Sequence, residues 1–236
     1  MSFYENISDL IFPPKCFLCK KHPVSLFGLC KLCGKKYLAP RSSICPLCGR
    51  TPQSCRCKYI DYAFDKVVTP FIYKDALRLK ILSFKIKGNI PDGKSLSLYM
   101  AQLIKLSYNL KLLDYIIYVP MDDKTKKLRK FNQSELLAKF ISHKLKIPVL
   151  HNVLIKTESR QPQHTLNFIN RKLNVKNIFS LYNDINLSGK NILLVDDIIT
   201  TGYTLDACSS LIKKAGAKNI VCAVAASKNT SITNLQ

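Results

Sequence analysis

The chain has 236 residues, of which 47% are hydrophobic, enough for one ordinary domain and a small accessory one. No apolar run approaches the roughly 20 residues that span a bilayer, and the opening MSFYENISDLIFPPK has Glu5 and Asp9 in its apolar pattern and no basic leader, so neither a transmembrane nor a secreted protein is expected. A cytoplasmic location is the default expectation from that poor signal sequence, and Lys and Arg outnumber Asp and Glu 37 to 15, a net charge of +22 that favours polyanionic partners.

In chain order, Ile7, Leu10 and Ile11 share one face of a short helix that Pro13 and Pro14 stop. So little apolar area suits docking onto the domain better than peripheral membrane contact. Cys16, Cys19, Cys30, Cys33, Cys45, Cys48, Cys55 and Cys57 follow as three CxxC pairs and one CxC. Two residues between thiolates let both sulfurs face one cation, and Gly34 and Gly49 are read as turn glycines behind two of the pairs. The pattern predicts two structural zinc sites, most simply Cys16, Cys19, Cys30 and Cys33 for one and Cys45, Cys48, Cys55 and Cys57 for the other; crossed pairing stays open. A disulfide framework is the competing reading and needs an oxidising compartment. Basic residues including Lys15, Lys20, Lys21, Lys31, Arg50, Arg56 and Lys58 are interleaved through this ribbon, with Tyr37 and Tyr59 available for stacking. They suit a nucleic-acid grip, or simply a solvated exterior.

From Asp61 the composition becomes that of a globular α/β domain, dividing the chain into a double zinc ribbon at 1–60 and a second domain at 61–236. Ala63 to Tyr73 reads as strands broken by Thr69-Pro70. A helix follows with Leu77, Ile81, Leu82 and Phe84 inward, stopped at Gly88, and Lys85 in its last turn suits either the helix dipole or an anionic ligand. A second helix is expected over Leu96 to Leu112 and a buried strand over Tyr115 to Pro120. A polar loop then holds Lys124, Lys126, Lys127, Arg129 and Lys130, and the next helix starts near Asn132 with Leu136, Leu137, Phe140 and Ile141 inward. Asp122 and Asp123 would repel a pyrophosphate in that loop unless Mg²⁺ lay between.

The central stretch is Asn191 to Leu205, NILLVDDIITTGYTL. Ile192 to Val195 read as a strand buried on both faces, so Asp196 and Asp197 stand at its carboxyl end, where open α/β sheets place ligands. Thr200, Thr201, Gly202, Tyr203 and Thr204 then lead into a helix with Leu205, Cys208, Leu211 and Ile212 on one face. Unpaired N–H groups, hydroxyls and a glycine at a helix start make an anion cradle. The plain alternative is a solvated Asp-Asp turn before a helix capped by Thr204.

This string resembles the signature of the type I phosphoribosyltransferases, in which two acidic residues bind the ribose hydroxyls of phosphoribosyl pyrophosphate and the next loop holds its 5′-phosphate. Other segments resemble the ComF family of competence-associated phosphoribosyltransferase-like proteins: FPPKCFLC at Phe12 to Cys19, the Tyr73 to Gly88 helix, and VP, a basic loop, then LRKFNQSELLA. Gln163, Leu166, Arg171, Asn174, Val175 and Phe179 resemble a stretch that forms a mobile active-site loop in related enzymes. Met121-Asp122 stands where a second proline is common, and Lys130 where glycine is usual.

The resemblance implies a type I phosphoribosyltransferase fold with a mostly parallel central sheet, preceded by the four-cysteine zinc ribbon. Asp196 and Asp197 would fix the ribose and help hold the metal, Thr200 to Thr204 would anchor the 5′-phosphate, and the Lys/Arg loop with Arg129 would face the pyrophosphate, with Lys85 as a further ligand-binding residue and Mg²⁺ as cofactor. It further implies handling of incoming single-stranded DNA in natural transformation, beside other competence or DNA-processing proteins. Phosphoribosyl transfer is then the enzymatic reading, with no residue naming the acceptor. A non-catalytic nucleic-acid-binding protein with a relict sugar-phosphate pocket is the alternative, and nucleobase salvage is weakened by the ribbon and the charge.

Overall fold

Apolar strands without polar alternation need cover on both faces, and the computed structural model shows how the chain supplies it. It describes residues 15–24, 28–39, 44–55, 57–157, 178–183 and 185–228. The order is α1 (Lys31–Tyr37), β1 (Lys66–Val68), β2 (Phe71–Ile72), α2 (Asp75–Lys87), α3 (Ile90–Ser107), β3 (Tyr115–Tyr118), α4 (Asp123–Arg129), α5 (Gln133–Leu145), β4 (Leu154–Lys156), β5 (Phe179–Leu181), β6 (Asn191–Ile199), α6 (Tyr203–Lys214) and β7 (Asn219–Ser227). The central sheet runs β1-β7-β6-β3, and β2 continues along β7 after a step at Pro70; every pairing in it is parallel. β4 and β5 form a separate antiparallel pair. The expected N-terminal helix lies outside the described residues, as do Gln163, Leu166, Arg171, Asn174 and Val175 of the expected active-site loop.

Successive side chains of a strand point to opposite faces, so β6 feeds two cores. Leu193 and Val195 pack with Leu77, Phe84, Met100, Leu137 and Ile141 of α2, α3 and α5. Ile192 and Leu194 pack with Leu205, Cys208 and Ile212 of α6. The cysteine-rich segment contributes to both cores. Cys16, Cys30 and Cys33 belong to the first, and Cys48, with Cys45, Cys55 and Cys57 against it, to the second.

Several boundaries differ from the sequence reading for identifiable reasons. α3 starts at Ile90, because the Asn89 side chain accepts from the Asp92 N–H and Pro91 sits in the first turn, a helix-start signal ahead of the first inward leucine. The chain leaves α3 at Ser107, and Leu110–Leu112 form only a 3₁₀ turn. The basic loop contains a short helix, α4, capped by Asp122, whose carboxylate accepts from the Thr125 N–H at 2.8 Å. β6 runs through the acidic pair to Ile199, since Ile198 and Ile199 still pair with Ala226 and Ser227 of β7. Gly34 is inside α1 and makes no turn, whereas Gly49 does, at φ +66°. No helix among the described residues is long and apolar enough to cross a membrane.

Candidate functional site

The carboxyl ends of the parallel strands open into a cleft of about 480 Å³. Its walls include Asp196, Asp197, Thr200 and Thr204 from β6 and the loop behind it, Lys85 from α2 and Arg129 from α4. The structure therefore gathers residues that the sequence separates by more than a hundred positions. Lys85 Nζ lies 2.6 Å from the Asp197 carboxylate. Burial pulls the Lys85 ammonium down, yet the charges of Asp197 and Asp196 outweigh it and hold its pKa above the ordinary value.

Asp196 differs from its neighbour. Burial, then the charge of Asp197, raises its pKa to about 7, despite hydrogen bonds from the Ser134 hydroxyl at 2.8 Å and the Asp197 N–H at 2.8 Å. Near neutral pH one carboxylate is paired and the other is poised to lose its proton. A ligand that donates hydroxyl hydrogen bonds or brings a cation favours that loss.

The segment Phe131 to Ser134 braces this arrangement. Asn132 caps α5 through the Ser134 N–H and donates to the Val119 carbonyl at 3.0 Å. Gln133 donates to the Lys85 carbonyl at 2.8 Å and accepts from Arg129 at 3.5 Å, so one amide ties α2, α4 and α5 together. Lys130 has φ +65°, the left-handed conformation that glycine adopts freely. The sequence reading assigned no role to Ser134, nor to Lys156, Lys228 and Tyr73, which also line the cleft. A serine or lysine at the end of another element leaves no spacing signal. Asp122 is turned to structural work: beyond capping α4 it pairs with Lys156 at 3.5 Å, so the feared repulsion is partly neutralised within the wall.

The loop from Thr200 to Thr204 has two sides. Thr200 and Thr204 face the cleft, while the Thr201 carbonyl accepts from the Tyr62 hydroxyl at 3.0 Å on the other side. Gly202, at φ +85°, is the N-cap of α6, in place of the Thr204 cap considered from sequence. The Tyr203 side chain is core, which leaves only its backbone for a ligand.

The cysteines gather as two sets, Cys16, Cys19, Cys30 and Cys33, and Cys45, Cys48, Cys55 and Cys57, with sulfurs within 4.8 Å of one another in each. A tetrahedron of sulfurs around zinc at roughly 2.3 Å has edges of about 3.8 Å. Sulfur separations of 3.9 Å for Cys19 and Cys30, 3.8 Å for Cys45 and Cys57 and 3.7 Å for Cys48 and Cys55 match that edge and are far longer than a disulfide bond. Backbone N–H groups of Lys21 and His22 bring the Cys19 thiol down to about 6, while burial pushes the Cys33, Cys48 and Cys57 thiols up, a cost that a bound cation would offset. The sulfur sets fit two structural zinc ions. Of the ribbon side chains considered for nucleic acid, Lys15, Lys20, Lys21, Lys31, Lys58 and Tyr59 are exposed. Tyr37 and Arg50 are buried, so neither can stack on a base or meet a phosphate of a surface-bound strand.

Comparison with known proteins agrees with this architecture. Competence protein F of Haemophilus influenzae is 32% identical over 216 residues, 87% of this chain and 93% of that protein. The chain belongs to the Competence protein F family. Another relative is the DNA utilization protein YhgH of Escherichia coli K12, 30% identical over 218 residues, 88% of this chain and 94% of that protein. Residues 132–235 match the phosphoribosyl transferase domain family, which spans α5, β6, the loop, α6 and β7. The fold of this family member is thus a phosphoribosyltransferase α/β domain with a parallel central sheet. A purine phosphoribosyltransferase from Pyrococcus horikoshii superimposes at a TM-score of 0.32 with 21% identity, over 55% of this chain and 68% of that one.

Proposed function

We propose that the cleft binds phosphoribosyl pyrophosphate with Mg²⁺, and that this cytoplasmic protein serves the handling of single-stranded DNA in competence. The observation that carries the first part is the joining of two carboxylates, Asp196 and Asp197, to a hydroxyl-rich helix-start loop and two cations in one cleft. Asp196 and Asp197 accept from the ribose hydroxyls, the 200–204 backbone and the Thr200 and Thr204 hydroxyls donate to the 5′-phosphate, and Lys85 and Arg129 face the pyrophosphate. Breaking the bond from C1 to pyrophosphate builds positive charge on the ribose and negative charge on the leaving group. Lys85 and Arg129 stand as fixed cations for the latter, and the carboxylates favour the former. Bound Mg²⁺ supplies further positive charge to the pyrophosphate.

The DNA role draws on the names of the relatives, which concern competence and DNA utilization, and on the net charge of +22. In this proposal residues 1–60 form the zinc ribbon and 61–236 the transferase-like domain. Exposed Lys15, Lys20, Lys21, Lys31, Lys58 and Tyr59 on the ribbon favour a second reading, a non-catalytic nucleic-acid binder that retains the sugar-phosphate pocket.

Calorimetric titration of phosphoribosyl pyrophosphate and Mg²⁺ into the wild type and Asp196→Ala/Asp197→Ala tests the pocket. Binding lost in the variant supports it; a zinc-loaded wild type that does not bind refutes it. Pyrophosphate release that needs both carboxylates supports turnover. Single-stranded DNA binding that falls steeply with salt and ignores the variant favours the second reading.

A further inference from the structure

Arg50 follows the Cys45 to Cys48 knuckle, and its side chain is completely buried. Its Nη1 reaches the Tyr62 hydroxyl at 3.4 Å, and among the described residues Nε and Nη2 have no hydrogen-bond partner. A guanidinium cannot shed its charge, so burial demands a counter-charge nearby.

One lies on the side of the second cysteine cluster. The Cys45 N–H donates to the Arg50 carbonyl at 2.6 Å, which ties the arginine's backbone directly to a residue of that cluster. Four thiolates on a divalent zinc leave a net charge of about −2. On the other side is the phosphate loop. A Cβ on Gly202 would stand 3.0 Å from Arg50 Nη2 and 3.1 Å from the Tyr62 ring. Tyr62, stacked on Phe64 with centroids 4.7 Å apart, donates to the Thr201 carbonyl. Arg50 and Tyr62 therefore connect the cysteine cluster to the back of the loop whose front faces the cleft.

We propose that Arg50 is a positioning residue that couples metal occupancy of the Cys45, Cys48, Cys55 and Cys57 cluster to the affinity of the Thr200–Thr204 loop for a phosphate monoester. The inference rests on the reading of that loop as a phosphate site. The loaded cluster is an anion that holds the guanidinium against Gly202. The loop then keeps its N–H groups toward the cleft, with a fixed positive charge behind them in a medium of low dielectric. Removal of the metal takes away the anchor of the guanidinium, and the loop loses its backing. Arg50 acts through the loop, because it is buried and does not line the cleft, whereas Thr200 and Thr204 do. The first cluster takes no part, since it packs into the core on the opposite face of the sheet.

Coupling of this kind is reciprocal: if zinc favours phosphate, phosphate favours zinc by the same factor. The test follows chelator-driven zinc release from the full-length, doubly loaded protein, with ribose 5-phosphate or ribose present, alongside calorimetry of ribose 5-phosphate binding. The expected result is that ribose 5-phosphate lowers the chelator's equilibrium access to one of the two zinc ions at least about fivefold, while ribose does not. Arg50→Met, with both zinc ions retained, abolishes that protection and weakens ribose 5-phosphate about tenfold; Arg50→Lys restores part of both. Wild type that binds ribose 5-phosphate without protecting zinc, or a zinc-loaded Arg50→Met that binds as tightly as wild type, overturns the coupling and leaves the phosphate site standing. Wild type that does not bind ribose 5-phosphate removes the phosphate site, and the coupling falls with it. Should Arg50→Met fail to fold, the wild-type zinc measurement decides alone.

Discussion

The two cysteine clusters have the same four-cysteine ligand set, yet they lie on opposite faces of one sheet and meet different neighbours. The first sits among aromatic side chains: Phe17 packs edge-on to Phe71 at 6.3 Å and beside Tyr99 at 6.0 Å. Its neighbours are apolar, and it joins the core under α2 and α3. The second carries a buried arginine that reaches the back of the Thr200–Thr204 loop at Gly202. A zinc site in an apolar setting can only stabilise, whereas one with a charge relay to a ligand loop can also report on that loop.

Loss of a ligand cysteine should separate them most clearly. Cys30→Ser and Cys48→Ser are each expected to release one zinc and to lose at least about 3 kcal/mol of stability, roughly 10 °C in Tm for a chain of this size. Only Cys48→Ser should also weaken phosphoribosyl pyrophosphate, about tenfold, in a titration below both melting points. Equal ligand affinity in the two variants would erase the distinction.

Glycine substitutions probe the same contrast more gently. Gly34 lies within α1, and a Cβ there meets only Leu38 at 3.7 Å, so Gly34→Ala should stabilise by up to about 1 kcal/mol through helix propensity. Gly49, at φ +66°, would place a Cβ 2.9 Å from Val67, and Gly49→Ala should cost about 1–3 kcal/mol. Gly202→Ala should combine a stability loss of similar size with weaker ligand binding, because its Cβ would press on Arg50 and Tyr62. Thermal melts and calorimetry read both.

The smallest effect separates charge in the cleft from charge behind it. Burial, then the charge of Asp197, raises the Asp196 carboxyl from its ordinary value of 3.8 to about 7 in the folded state. The native state therefore binds the extra proton between those values, and this group makes the ligand-free protein less stable as pH rises through that window. A ligand that prefers the ionised carboxylate reverses the trend: its affinity should rise by up to tenfold per unit from about pH 5 to 7, with proton release detectable by calorimetry in buffers of different ionisation enthalpy. Arg50 lies behind Gly202 and is not among the residues that line the cleft beside Asp196, so Arg50→Met should lower the whole affinity profile without shifting it. Ser134→Ala, which removes a hydrogen bond from Asp196, should shift the profile upward in pH by a few tenths of a unit.

Much of the frame was legible from residue order. The apolar run before Asp196, the glycine stop at Gly88 and the helix start near Asn132 each depend on neighbours in sequence, and each holds in the structure. The grouping of cysteines, open in the sequence, is resolved by the sulfur positions. The start of α3 was missed because the leucines outweighed the Asn89-Ile90-Pro91 signal. Arg50 was misread because a cation beside a cysteine knuckle usually faces water; only the tertiary contact with Gly202 shows that it does not. Ser134 and Lys156 reach the cleft from separate elements, and nothing local marks them.

The most direct measurement is a crystal structure with Mg²⁺ and phosphoribosyl pyrophosphate at saturating concentration. The expected density has the 5′-phosphate on the 200–204 backbone, the ribose hydroxyls on Asp196 and Asp197, and the pyrophosphate toward Lys85 and Arg129. Ligand density elsewhere, or an empty cleft in crystals that hold both zinc ions, would contradict the assignment of this cleft to a phosphoribosyl ligand.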